Sequence, residues 1–106
     1  MKENSENQDN SDKRILIYDD NIEILMLCNL FFKKYNYQVK TLARCENVIN
    51  DAKSYKPHFI LMDLWIPEIG GDQAVELLKG DSMTRDIPVL LFSANINIKE
   101  IAKRVK

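Results

Sequence analysis

The run Arg14-Ile-Leu-Ile-Tyr18-Asp19-Asp20 decides how this chain is read. Apolar residues on consecutive positions suit a strand buried on both faces of a parallel sheet, where the usual alternation disappears. The run then ends in two carboxylates, and the pattern recurs where Phe59-Ile-Leu-Met62 ends in Asp63. In an open parallel sheet, ligands bind beyond the carboxyl ends of the strands, so residues placed there converge even when far apart in sequence. Asp19, Asp20 and Asp63 are therefore expected as neighbours. Three carboxylates so placed repel by about 4 kcal/mol per pair at ~4 Å and an effective dielectric of ~20. A hard divalent cation offsets that repulsion, and an all-oxygen donor set points to magnesium.

Outward from these two runs, short apolar segments alternate with longer amphipathic ones, a βαβα rhythm that predicts a parallel sheet between helices. Strands are expected at Arg14–Asp19, Gln38–Leu42, His58–Asp63 and Ile87–Phe92. The second alternates and so belongs nearer an edge, which leads to the strand order 2-1-3-4. Helices are expected at Ile22–Tyr35, Glu46–Tyr55 and Asp72–Lys79, with a fourth from Ile98 onward. Asp20 or Asn21 caps the first, and Gly70-Gly71 precedes the third. The first helix is unusually apolar. Ile24, Leu27, Cys28, Phe31 and Phe32 form its expected core stripe, while Ile22, Leu25, Met26 and Leu30 fall outside it. That second face reads either as ordinary exposed apolar residues or as a docking surface beside the acidic cluster.

At 106 residues the chain holds one domain. A net charge of −1 gives no basic field for nucleic acid or an anionic membrane, and neither is expected as a direct partner. Cys28 and Cys45 lack the spacing of a zinc site or a disulfide scaffold, so they read as reduced structural thiols of a cytoplasmic protein. Residues 1–12 are polar, with no apolar stretch for a signal peptide, and are expected as a disordered tail before a domain at 13–106. His58, the only histidine, lies at the far end of its strand from Asp63 and reads as structural.

The chain resembles the receiver domain of two-component response regulators, of the CheY-like superfamily. The resemblance rests on Ile15-Leu-Ile-Tyr-Asp19-Asp20-Asn21, on Leu61-Met-Asp63-Leu-Trp-Ile-Pro67 with Gly70-Gly71, and on Ile87-Pro88-Val-Leu-Leu-Phe92-Ser93-Ala94. It implies a flavodoxin-like doubly wound sheet and a protein that accepts a phosphoryl group on Asp63 from a sensor histidine kinase or histidine phosphotransfer protein. It further implies magnesium held by Asp19, Asp20, Asp63 and the Trp65 backbone carbonyl, and Ser93 as the hydroxyl that answers the modified Asp63. Pro67 and the two glycines would shape the loop after Asp63, glycine tolerating the positive φ of a tight turn. Ile22 and Met26, nearest the acids, are the expected docking point for the phosphodonor. The chain would be a self-modifying signalling protein, not a turnover enzyme on external substrates.

Two departures from the family stand out. Trp65 and Asn95 occupy the positions that tune dephosphorylation, and a bulky indole there would shield an acyl phosphate. The family's fifth strand, its lysine and its last helix have no counterpart, and Lys99, Lys103, Arg104 and Lys106 fall in the expected fourth helix instead. The receiver domain is therefore expected to be C-terminally incomplete, its fourth strand an apolar edge open to pairing with another chain. A homodimer through that edge or the fourth helix would follow, alongside an output partner or domain. Two other functions compete: a receiver-like interaction module that does not use phosphorylation, and a magnesium-dependent phosphohydrolase with an aspartate nucleophile. The second would want an acid where Trp65 stands.

Overall fold

In a computed structural model the structure describes residues 12–92. The elements run β1 (Arg14–Tyr18), α1 (Ile22–Lys34), β2 (Gln38–Leu42), α2 (Val48–Tyr55), β3 (Phe59–Asp63), α3 (Gly71–Lys79) and β4 (Val89–Phe92). Among the described residues the strands form one parallel sheet in the order β2-β1-β3-β4, as the sequence predicts. Each element expected between residues 12 and 92 is present within a residue or two. The expected helix from Ile98, together with Ser93 and Asn95, lies outside the described residues.

Period-two geometry divides the core. Leu16, Tyr18, Ile60 and Met62 pack with Val48 and Ala52 of α2 and with Ala74 and Leu78 of α3. Ile15, Ile17, Leu61 and Phe92 point the other way, into a cluster with Leu25, Cys28 and Phe32 of α1. β1 and β3 are thus buried on both faces, whereas β2, with its alternating Gln38-Val-Lys-Thr-Leu42, lies at an edge.

Local chemistry sets the helix ends. Asn21 caps α1, its side-chain oxygen accepting from the backbone N–H of Glu23 at 2.9 Å and of Ile24 at 3.4 Å. Glu23 in the first turn and Lys33 and Lys34 in the last suit the helix dipole. Lys56 ends α2 in the left-handed region (φ 54°), and Pro57 forbids continuation.

The orientation of α1 departs from expectation. Leu25, Cys28 and Phe32 form the buried stripe, whereas Leu27 is exposed. Leu25 and Leu27 exchange the sides expected of them because α1 carries apolar residues nearly all round, so periodicity alone leaves its rotation undetermined. The sheet settled the rotation.

Candidate functional site

β1 and β3 are paired in a register that sets Ile17 beside Leu61 and Tyr18 beside Met62. One step further, at the carboxyl ends of the two strands, Asp19 and Asp63 lie side by side, and Asp20 follows directly. Carboxylate oxygens of Asp19, Asp20 and Asp63 all lie within 4.8 Å of one another. The three predicted acids therefore come together. Asp19 is only 4% exposed and Asp63 6%, while Asp20 faces solvent.

Burial works against charge on the two inner acids. It lifts Asp19 from the ordinary 3.8 to about 6. The Asn21 N–H, donating to Asp19 Oδ1 at 2.8 Å, opposes the rise, and the Asp63 and Asp20 charges add to it. Asp63 is raised as well, chiefly by burial and further by Asp20, against the Trp65 and Leu64 backbone N–H groups that favour its ionised form. Among the described residues the ion pairs are Arg44–Glu68 at 3.7 Å and Lys53–Asp81 at 3.2 Å, so no lysine or arginine of that part neutralises the cluster. An all-carboxylate, hard-oxygen set with two buried members fits a divalent cation such as magnesium.

The loop after Asp63 is built around close backbone approach. The Leu64 N–H donates to the Phe92 carbonyl at 2.8 Å, and the Gly71 N–H donates to the Leu64 carbonyl at 3.0 Å. A Cβ on Gly71 would lie 2.2 Å from the Asp63 carbonyl oxygen, a collision with backbone that cannot move aside cheaply. The glycine pair was expected for positive φ, yet neither glycine adopts it. Glu68 does instead, at φ 80°. Close packing of α3 against the end of β3, not turn geometry, is what requires Gly71.

Trp65 is 72% exposed on this loop, and Ile22 and Met26 are exposed at the start of α1. Several residues that steady the site were missed in the sequence. The Tyr18 hydroxyl donates to Asp51 Oδ2 at 2.7 Å, tying the end of β1 to α2, and burial followed by that bond raises the phenol's pKa. The Cys45 thiol donates to the Ile69 carbonyl at 3.3 Å, and Arg44 pairs with Glu68, so the β2–α2 loop straps the loop carrying Trp65. Only Tyr18 left a signal, a phenol closing an otherwise aliphatic strand. Burial pushes the Cys28 and Cys45 thiols up to about 11, and both are free, as expected of structural thiols. His58, also as expected, serves the opposite end: its Nδ1 accepts from the Arg14 N–H at 3.0 Å.

A parallel α/β sheet with three acids gathered at the carboxyl ends of β1 and β3 defines a module with an acidic site at its strand ends. Residues 15–106 match the response regulator receiver domain, and the chain belongs to that family. It is 30% identical over 82 residues to the phosphate regulon transcriptional regulatory protein PhoB of Klebsiella pneumoniae, covering 77% of this chain and 36% of that protein. The chain thus spans about a third of the length of this curated relative. The N-terminal domain of a response regulator receiver protein from Methanoculleus marisnigri JR1 superposes with a TM-score of 0.74 at 26% identity, over 87% of this chain and 76% of that one. The receiver domain of sensor histidine kinase PA1611 from Pseudomonas aeruginosa PAO1, solved with magnesium in its active-site cleft, shares the fold. Its TM-score is 0.73 at 23% identity, over 78% of this chain and 68% of that one. Receiver domains are signalling modules rather than turnover enzymes. No helix among the described residues is long and apolar enough to cross a membrane.

Proposed function

We propose that this receiver is controlled by phosphorylation of Asp63, with a sensor histidine kinase or histidine phosphotransfer protein as donor. The observation that supports the reading is the β1–β3 register, which brings Asp63 out beside Asp19 and Asp20 with oxygens within 4.8 Å. An Asp63 carboxylate oxygen attacks the phosphorus of phosphohistidine. The P–O bond forms as the P–N bond breaks, and the departing imidazole nitrogen keeps the electron pair and takes a proton from solvent. The Trp65 and Leu64 N–H groups hold Asp63 toward its ionised, nucleophilic form. Asp19, Asp20, Asp63 and the Trp65 carbonyl would hold magnesium, which when bound supplies positive charge against the carboxylates and the transferring phosphoryl group. The magnesium in the PA1611 receiver's cleft supports that assignment. Ser93 follows Phe92, which pairs with Asp63 across β3 and β4, and is assigned the responding hydroxyl.

Beryllofluoride, a mimic of the aspartyl phosphate, tests the proposal through Trp65 fluorescence with Asp63→Asn as control. A change that requires magnesium and vanishes in the variant supports it. No change in fluorescence, with no phosphoryl adduct by mass spectrometry after a small phosphodonor, would turn the reading to an interaction module without phosphorylation.

A further inference from the structure

The outward pole of α1 carries Glu23, Leu27, Leu30 and Lys34, at positions i, i+4, i+7 and i+11, opposite the buried Leu25, Cys28 and Phe32. That spacing stacks side chains along one helix face. Leu27 is 55% exposed and Leu30 67%, with Ile22 and Met26 exposed beside them. The face is therefore an apolar centre closed by an acid at one end and a base at the other. Among the described residues neither Glu23 nor Lys34 takes part in an ion pair.

The order acid, leucine, leucine, base is self-complementary in one direction only. We propose that α1 binds α1 of a second copy of this chain, antiparallel about a twofold axis. Each Glu23 then meets the second copy's Lys34, and each Leu27 meets its Leu30. A parallel pair would set Glu23 on Glu23 and Lys34 on Lys34, so the charges select the antiparallel arrangement. Such a contact is isologous, hence closed at two copies. It is also small: a 13-residue helix is about 20 Å long, and one crossing of that length buries less than the ~1,200 Å² of a standard stable interface. The dimer is accordingly weak and forms as concentration rises.

The proposal is independent of phosphoryl chemistry, so its test needs no phosphodonor. Sedimentation velocity on the chain, from about 10 μM to about 1 mM, reads the dimer directly, this being the range of a small interface. Glu23→Lys and Lys34→Glu are each expected to weaken association by about tenfold, and the two combined in one chain to restore it to within about twofold. Leu30→Asp should leave only monomer. All three positions are exposed, and circular dichroism verifies that each variant keeps its helix. A monomer throughout the range overturns the proposal, as does a dimer indifferent to Leu30→Asp or a charge exchange that fails to restore it.

Discussion

Asp19→Asn isolates the electrostatic cost of the acidic cluster. The amide oxygen can still accept the Asn21 N–H that Asp19 Oδ1 accepts at 2.8 Å, so shape and that bond survive while one charge is removed. Asp19 titrates at about 6 in the fold against 3.8 ordinarily, and the folded carboxyl therefore holds its proton more tightly than the unfolded one. The stability this provides is full below pH 3.8 and is lost as pH rises through about 6, leaving the ionised cluster strained at pH 7. A difference of about two pKa units is worth about 3 kcal/mol as a ceiling, and roughly half that once the side chains relax and the exposed Asp20 admits water. In EDTA at pH 7 the variant should thus be more stable than the parent by about 1–3 kcal/mol, and at pH 3.5 no more stable. Magnesium should reverse the ranking in part: at ten times its dissociation constant it stabilises the parent by about 1.4 kcal/mol, which the variant forfeits. Urea unfolding followed by far-UV circular dichroism, with and without magnesium at both pH values, provides the comparison. Equal destabilisation at both pH values, or an undiminished magnesium effect, would refute a site organised by charge repulsion and cation binding.

Three further outcomes follow from the loop after Asp63. Gly71→Ala should cost about 1–3 kcal/mol in urea unfolding and weaken beryllofluoride binding, because the new Cβ meets the Asp63 carbonyl oxygen. Glu68→Gly relieves a left-handed backbone at φ 80° and loses only an exposed ion pair to Arg44, so a gain of about 0.5–1 kcal/mol is expected by the same assay. Trp65→Asn should shorten the lifetime of the phosphorylated state, measured by mass spectrometry over time after removal of the phosphodonor; an unchanged lifetime would exclude shielding by the indole.

The helix-one pattern shows where sequence reading stops. Consecutive apolar residues mark β1 and β3 as central strands because only a strand covered on both faces can hide them, and alternation marks β2 as an edge for the converse reason. Neither argument reaches α1. With apolar residues on most of its circumference, periodicity does not fix the rotation of the helix, and it is packing on Ile15 and Ile17 that buries Leu25 and leaves Leu27 exposed. Gly71 was noticed for the right position and the wrong cause, since a close approach to Asp63 arises between segments that local sequence does not place together.

By itself the sequence determined the element order, the strand order and the identity of the three acids, because strand burial and the chemistry at strand ends are local properties of short runs. Tertiary structure alone decided the register that sets Asp19 beside Asp63 and the burial that lifts both carboxyls. It alone also decided the ties from Tyr18 to Asp51 and from Cys45 to Ile69, and the side of α1 left to solvent. Each of these depends on distances between residues remote in the chain, and those distances exist only after the sheet has closed.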